Sequence, residues 1–366
     1  MRVYKIVSFS VVILLISVFF AGAVIVPAAA QYDTQYQYNA AHTGDYSPVA
    51  GSTPPNNVQK WSFATGDLVD SSPAVLNGLV YAGSNDHNVY ALNATTGAKV
   101  WNYTTGGNVL SSPAVVNGVV FVGSDDGNVY ALNATMGAKV WNYTTGGLVE
   151  SSPAVSNGVV FVGSDDGNLY ALNATTGAKV WNYTTLGEVY SSPAVLKGVV
   201  YVGSYDNNLY ALNATTGAKV WNYTTGGHVL STPAVVNGTL YVGSSDNNLY
   251  ALNASNGAKL WSFATGFTVY SSPAVANGVV YVGSDDSNVY ALNASNGAKL
   301  WSFATAAGVE SSPAVVNGTV YVGSEDSNVY AIGNGAAATS HGIPGFDVTL
   351  ALVGLIIIAY ALKRKR

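Results

Sequence analysis

Short apolar runs alternate with turn residues about every ten positions, as residues 111–150 show. The runs Pro-Ala-Val-Val, Val-Val-Phe-Val-Gly-Ser, Asn-Val-Tyr-Ala-Leu and Lys-Val-Trp-Asn-Tyr-Thr are rich in β-branched and aromatic residues, and none has helical periodicity. Asn117-Gly118 and Asp126-Gly127 lie between such runs and favour tight hairpin turns. The pattern therefore predicts four antiparallel strands, named a, b, c and d in chain order.

This unit recurs every 40 residues without insertions. Its register is fixed by the seven tryptophans of the chain: Trp61, Trp101, Trp141, Trp181, Trp221, Trp261 and Trp301. The prolines of the Ser/Thr-Pro-Ala step keep the same spacing: Pro73, Pro113, Pro153, Pro193, Pro233, Pro273 and Pro313. Four short strands per repeat, copied at a fixed period, predict an all-β protein with the architecture of a β-propeller.

The order of the strands predicts how the ring closes. Residues 58–65 form a d strand that precedes every Ser-Pro-Ala step, and residues 311–332 provide strands a, b and c with no Trp strand after them. We expect the N-terminal Trp strand to pair with the last blade and close a ring of seven four-stranded antiparallel blades. A linear β-solenoid is the alternative, but it does not explain this offset.

Composition excludes several functions. The chain has 366 residues, only 9% of them charged, and no cysteine, so it has neither disulfides nor thiolate chemistry. The formal net charge is −5, and residues 31–343 contain 8 Lys against 18 Asp and Glu. Such an acidic domain argues against binding of nucleic acid, which requires a basic surface.

Composition also divides the chain into segments. Residues 1–30 have the features of a signal peptide: Arg2 and Lys5, an apolar run over 6–26, and the small residues Ala28-Ala29-Ala30. The apolar run is long enough that an uncleaved anchor is the alternative. A Tyr- and Pro-rich lead-in follows over 31–57, then the predicted propeller over 58–332 and a small-residue spacer over 333–343.

Residues 344–366 form a short tail. Pro344-Gly345-Phe346 is followed by an apolar run over 348–362 and by four basic residues. The run is shorter than the roughly 20 residues that span a bilayer. The tail resembles the PGF C-terminal sorting signal of archaeal surface proteins, which implies its removal and replacement by a lipid anchor. A plain transmembrane anchor is the alternative, and its basic end would be cytoplasmic. Either anchor places the protein, after secretion, on the outer face of the cell membrane.

The c–d segment of each repeat carries a recognisable motif. Residues 131–141 read Ala-Leu-Asn-Ala-Thr-Met-Gly-Ala-Lys-Val-Trp. This sequence resembles the tryptophan-docking motif of pyrroloquinoline-quinone-type (quinoprotein-like) propeller repeats, and the resemblance extends over 58–332. It implies that each Trp packs between neighbouring blades, a role that suits a side chain able to bury roughly 150–250 Å² while its N–H bonds a partner.

The resemblance does not bring the family's catalysis with it. Its enzymes are usually eight-bladed and have a vicinal cysteine pair, a calcium site and a catalytic Asp, whereas this chain has no cysteine. Asp126 and Asp166 recur in b–c turns, where Asp suits the turn geometry. We therefore expect no catalytic residues and no quinone. Non-enzymatic members, such as the outer-membrane-protein assembly lipoprotein, are the nearer analogy. A quinoprotein dehydrogenase remains the alternative.

Where the family motif favours Asp, this chain has Asn followed by Ala and then Thr or Ser. This creates N-glycosylation sequons, as do further positions on strand d and in a–b turns. The twelve candidates are Asn93, Asn102, Asn133, Asn142, Asn173, Asn182, Asn213, Asn222, Asn237, Asn253, Asn293 and Asn317. The alternative is that Asn and Thr are simply favourable turn residues multiplied by repeat copying.

The repeats differ most in the d–a links and the b–c turns. Strand a is innermost in a propeller, so the d–a links should surround the mouth of the central channel. Asp70, Glu150 and Glu310 would form an acidic arc there, suited to a cation such as Ca²⁺. An opposite arc would stack on a sugar or a peptide: Tyr190, Leu230 and Tyr270, with His228 nearby. The alternative is that these loops are exposed to solvent and that their sequences differ only through neutral drift.

These observations predict a secreted, surface-anchored propeller that binds other molecules and does not catalyse a reaction. We expect its partners to be surface proteins or envelope polysaccharide, and the ring to be monomeric. A purely structural component of the envelope is a further alternative.

Overall fold

The computed structural model describes residues 60–316 and 318–333. The predicted signal peptide, lead-in and tail, almost all of the spacer and the sequon residue Asn317 lie outside this part of the chain. All regular secondary structure in the described residues is β-strand. No described helix is long and apolar enough to cross a membrane.

The 27 strands form seven sheets, here called blades 1 to 7 in chain order. Blades 1 and 2 contain β1 (Ala74–Leu76), β2 (Leu79–Gly83), β3 (Asn88–Asn93), β4 (Lys99–Thr104), β5 (Ala114–Val116), β6 (Val119–Gly123), β7 (Asn128–Asn133) and β8 (Lys139–Thr144). Blades 3 and 4 contain β9 (Ala154–Ser156), β10 (Val159–Gly163), β11 (Asn168–Asn173), β12 (Lys179–Thr184), β13 (Ala194–Leu196), β14 (Val199–Gly203), β15 (Asn208–Asn213) and β16 (Lys219–Thr224). Blades 5 to 7 contain β17 (Ala234–Val236), β18 (Thr239–Gly243), β19 (Asn248–Asn253), β20 (Lys259–Ala264), β21 (Ala274–Ala276), β22 (Val279–Ser284), β23 (Asn288–Asn293), β24 (Lys299–Ala304), β25 (Ala314–Val316), β26 (Thr319–Gly323) and β27 (Val329–Gly333).

Each blade is an antiparallel meander, with its strands paired in chain order. This confirms the predicted all-β class and the seven blades. The a–b hairpin of blade 2 turns at Asn117 and Gly118, whose φ angles are 51° and 76°. Positive φ at both central positions is what a type I′ hairpin turn requires, so the Asn-Gly signal was interpreted correctly.

The hydrophobic core lies between neighbouring blades. Tyr81, Val89 and Trp101 of blade 1 cluster with Val120 and Leu132 of blade 2. Equivalent clusters join the later blades. Because one blade cannot bury both faces of its small sheet alone, stability depends on contacts between adjacent repeats.

The turns of the blades lie in two groups at opposite ends of the strands. The b–c turns and d–a links form one end, named here the carboxylate face, where Asp125 N donates to Asn108 O at 2.9 Å. The a–b and c–d turns form the other end, named the lysine face, where Ala134 N donates to Gly118 O at 2.9 Å. The same bonds recur along the repeats, so the predicted assignment of turns to faces is confirmed.

The predicted closing strand is not confirmed. Blades 1 to 6 have four strands, but blade 7 contains only β25, β26 and β27. Residues 60–65 form no strand, while Val58 and Gln59 lie outside the described part. Pairing of the leading Trp segment with β27 therefore stays a prediction.

Candidate functional site

The d–a links converge on one depression of about 350 Å³ at the carboxylate face. It is lined by the link residue of all seven repeats: Asp70, Leu110, Glu150, Tyr190, Leu230, Tyr270 and Glu310. Six of the seven predicted binding residues therefore share one mouth. His228 lies outside this lining, where its exposed ring contacts Tyr205.

Hydroxyl groups form a belt just inside this mouth. Ser72 N donates to Ser112 Oγ at 2.8 Å, and Ser112 N donates to Ser152 Oγ at 2.9 Å. The same bond joins Ser152 to Ser192 at 2.8 Å. Each bond links consecutive blades, so the belt fixes the positions of the mouth residues. Sequence reasoning missed it, although the invariant spacing of the Ser/Thr before each Pro was the available signal.

The tryptophans lie at the blade interfaces. Trp141 Nε1 donates to Ala174 O of the next blade at 3.0 Å, and its indole packs against Gly177. A Cβ at Gly177 would lie 2.7 Å from the ring, so glycine is required there. The same hydrogen bond, at 2.9–3.1 Å, is formed by five other tryptophans: Trp61, Trp101, Trp181, Trp221 and Trp261. The acceptor equivalent for Trp301 would belong to residue 334, outside the described residues.

The Asp at the second position of each b–c turn does more than shape the turn. Asp126 Oδ2 accepts from Tyr130 Oη at 2.6 Å and from Gly106 N of the preceding link at 2.6 Å. Its Oδ1 accepts from the backbone N–H and side-chain amide of Asn128, both at 3.0 Å. Burial opposes ionisation, but these four donors together hold the pKa of Asp126 below its ordinary value. The expectation that Asp126 and Asp166 are only turn residues was therefore incomplete, and the repeated Asp-X-Asn-X-Tyr spacing was the overlooked signal.

A second set of carboxylates has raised pKa values, in contrast to the lowered pKa of Asp126. Burial first, and then the neighbouring carboxylates of Asp125, Asp165 and Glu188, together raise the pKa of Glu150 to about 7. Burial first, and then Glu188, Asp125 and Asp166, raise the pKa of Asp165 to about 6. One oxygen atom each of Glu150, Asp125 and Asp165 is buried without a hydrogen-bond partner. These carboxylates repel one another and have unused acceptor capacity.

The other two acidic mouth residues differ from Glu150. The pKa of Glu310 is raised by burial first and then by Asp285 and Glu325. Asp70 accepts a hydrogen bond from Asn85 Nδ2 at 2.7 Å. No group of three or more His, Cys, Asp or Glu side chains in the described residues is arranged to hold a metal ion. The calcium expectation stays a prediction.

Charge is segregated between the two faces. The described residues contain sixteen acidic side chains, and all of them lie in b–c turns or d–a links: Asp67, Asp70, Asp86, Asp125, Asp126, Glu150, Asp165, Asp166, Glu188, Asp206, Asp246, Asp285, Asp286, Glu310, Glu325 and Asp326. All eight described lysines lie at the opposite end, in an a–b turn or at the start of a d-type segment: Lys60, Lys99, Lys139, Lys179, Lys197, Lys219, Lys259 and Lys299. Whole-chain net charge conceals this separation.

The sequons lie on the lysine face and on strand d. In the c–d turns, Asn133 Oδ1 accepts from the backbone N–H groups of Thr135 and Met136, both at 2.9 Å. These bonds support the turn-residue interpretation. On strand d, Asn142 is exposed, with Nδ2 bonded to Asn128. The eleven described candidates all lie off the carboxylate face, so glycans would leave that face uncovered.

The meandering blades, inter-blade tryptophans and central mouth define a β-propeller repeat protein. A family model described as outer membrane protein assembly factor BamB matches residues 49–152, 144–268 and 224–345. The chain belongs to this family. The PGF-CTERM motif matches residues 343–365 and marks a surface-anchored secreted protein. No curated protein matches the chain.

Solved structures show the same fold. BamB from Moraxella catarrhalis superposes with a TM-score of 0.65 and 24% sequence identity, covering 74% of this chain and 87% of that one. The computationally designed protein Ika8 superposes with a TM-score of 0.51 and 15% identity, covering 74% of this chain and 97% of that one. At these identities the likeness concerns the fold alone.

Proposed function

We propose that this cell-surface propeller is a non-catalytic binding protein and that its carboxylate face recruits a cationic partner protein. The observation that carries the proposal is the segregation of charge, with sixteen carboxylates and no lysine on the carboxylate face of the described residues. A face of one sign attracts partners of the opposite sign and speeds their encounter. The name of the matched family refers to protein assembly, which is itself a protein-binding role.

The mouth adds specificity to this attraction. Glu150 is held near other carboxylates at a cost, because Asp125, Asp165 and Glu188 add to the effect of burial in raising its pKa. A Lys or Arg side chain placed among them would relieve that repulsion and satisfy their unpaired oxygens. Binding would therefore favour the ionised form of these carboxylates.

The direction of β27 supports an outward orientation for this face. Strand β27 runs from a b–c turn and ends at Gly333, at the lysine-face end of blade 7. The sorting motif begins ten residues later, at residue 343. An anchor attached there holds the lysine face toward the membrane and leaves the carboxylate face toward the surroundings. A single cysteine at Lys197 should then lie nearer a membrane dye in energy-transfer measurements than one at Asn207, and the reverse order would contradict this orientation.

Binding of charged peptides to the membrane-anchored full chain tests the proposal. A fluorescent oligolysine should bind with an affinity that falls steeply as salt is raised, while oligoglutamate should not bind. Replacing both Glu150→Gln and Asp165→Asn should weaken oligolysine binding about tenfold or more. Lys197→Gln, on the lysine face, is the matched control and should leave the affinity unchanged. Equal binding of both peptides would refute the proposal.

The dehydrogenase alternative is separated by a direct assay. Pyrroloquinoline quinone with Ca²⁺ should leave the melting temperature of the full chain unchanged and should produce no reduction of dye by alcohols. A large rise in melting temperature together with dye reduction would favour the enzyme. Regular self-assembly without binding of any peptide would favour the structural envelope role.

A further inference from the structure

Blade 4 departs from the other repeats at three neighbouring positions. Leu186 occupies a position that is Gly in five repeats and Ala in one. Tyr205 occupies the first b–c turn position, which is Asn, Asp, Ser or Glu elsewhere, and Glu188 is the only acidic residue at its link position. The three side chains line one open depression of about 740 Å³ together with Asp165. The repeats are otherwise very similar, and this depression brings together one aromatic, one apolar and two acidic side chains.

The ring of Tyr205 forms an aromatic wall of the depression and is held in place by neighbouring rings. Its ring lies 4.7 Å from that of His228 at 34°, and 6.2 Å from Tyr190 in an edge arrangement. The His228 ring is fixed by a 2.5 Å contact between Nδ1 and Tyr205 O. The turn itself is held by Tyr205 N, which donates to Glu188 O at 3.0 Å. The wall is therefore preorganised and is not a freely rotating surface side chain.

Carboxylates complete the depression. Glu188 is exposed beside Tyr205, and Asp165 has a buried Oδ1 atom without a hydrogen-bond partner. Asp166 is already committed to Tyr170 Oη at 2.6 Å and Gly146 N at 2.7 Å. Leu186 is 94% exposed at the rim and offers apolar surface to an alkyl stem. Carboxylate side chains, an aromatic ring and an apolar rim thus line one opening.

We propose that this depression binds an arginine side chain of the cationic partner, a proposal that rests on the proposed function and names its anchoring residue. A guanidinium stacks on an aromatic ring while its N–H fork reaches carboxylates, and its aliphatic stem covers apolar surface. Tyr205, the carboxylates of Asp165 and Glu188, and Leu186 supply these three elements. Lysine fits less well because its ammonium is a compact point charge without a planar face.

Three pentapeptides that differ only in a central Arg, Lys or citrulline test the proposal on the membrane-anchored full chain. The Arg peptide should bind most tightly and the citrulline peptide least. Tyr205→Ser and Leu186→Gly place in blade 4 the residues that blade 5 has at Ser245 and Gly226, so folding should be preserved. Each should weaken binding of the Arg peptide, Tyr205→Ser by about fivefold to thirtyfold, as expected for loss of a cation–aromatic contact. Ser245→Ala is the control and should have no effect.

The outcomes separate the two proposals. If oligolysine binds but the Arg and citrulline peptides bind equally, or Tyr205→Ser has no effect, the arginine pocket is overturned while the cationic partner stands. If no cationic peptide binds, both proposals fail. Retained far-ultraviolet circular dichroism and melting temperature in the variants would show that any loss of binding is local.

Discussion

The interfaces between consecutive blades and the seam between blades 7 and 1 have the same residue types at equivalent positions, but the seam is less tightly packed. The link valines Val109, Val149 and Val189 are 0% exposed, and Val109 packs on Gly83 of the preceding blade. Their counterpart Val69, which would pack on Gly323, is 49% exposed. A Cβ at Gly323 would meet only Ser311, at 3.5 Å, whereas one at Gly123 would lie 2.3 Å from Val149 O.

The leading segment nevertheless makes the contacts of a d strand with the following blade, although it does not pair with the preceding blade. Trp61 Nε1 donates to Ala94 O at 3.0 Å, and the ring of Phe63 lies 5.3 Å from that of Tyr90. Gly66 N donates to Asp86 Oδ2 at 2.7 Å. These contacts match those between interior blades, while the edge of β27 has no strand partner among the described residues. The leading segment reaches blade 1 through residues that are close to it in sequence. Closure of the ring instead requires this segment to meet β27, which lies at the other end of the described chain.

The largest expected effect comes from removing an interior tryptophan. Trp141→Ala should lower the free energy of unfolding by about 3–5 kcal/mol, since a large buried side chain leaves a cavity between two blades. Trp141→Phe keeps most of the packing and should cost only about 1 kcal/mol through the lost hydrogen bond. Denaturant unfolding measures both. Equal losses for Trp61→Ala and Trp141→Ala would show that the seam is packed like an interior interface.

Removing the hydrogen bonds that Asp126 accepts should give a smaller effect with a defined pH dependence. The pKa of Asp126 is lower in the folded state than in the unfolded chain, so its stabilisation is present above about pH 4 and is lost as pH falls. Asp126→Asn should cost about 1–2 kcal/mol at pH 7 and flatten the acid side of the stability profile. Asp326→Asn, in exposed blade 7, should cost less. A pH series of thermal melts that gives identical profiles for Asp126→Asn and the parent chain would contradict this account.

Glu150 should act in the opposite direction. Its folded pKa of about 7 exceeds that of the unfolded chain, so the folded state holds the extra proton between about pH 4.5 and 7. Stability therefore falls as pH rises through this window. Glu150→Gln should remove the contribution of Glu150 to this dependence, leaving that of Asp165, and should raise stability at pH 8 by no more than about 1 kcal/mol, because the group is half exposed and screened by solvent. Melting curves at pH 5 and pH 8 check the sign, and a destabilised variant at pH 8 would contradict the prediction.

Sequence alone predicted what repeats locally and missed what depends on neighbouring blades. Asn117-Gly118 specified its hairpin, and short β-branched and aromatic runs between turn residues specified strands such as β6 and β7, because both signals act within a few residues. The convergence of Asp70, Glu150 and Glu310 followed from the ring geometry. The raised pKa of Asp165 and the bracing of Tyr205 by His228 could not be predicted, since they depend on distances between residues of different repeats.

Closure of the ring is the claim on which the geometry of the mouth most depends, and a matched pair of glycine substitutions tests it directly. Gly123→Ala places a methyl against Val149 O and should destabilise the protein by about 1–3 kcal/mol or more. If residues 58–65 pair with β27 in solution, Val69 packs on Gly323 as Val149 packs on Gly123, and Gly323→Ala should lower the melting temperature equally. A melting temperature for Gly323→Ala unchanged from that of the parent chain would contradict closure.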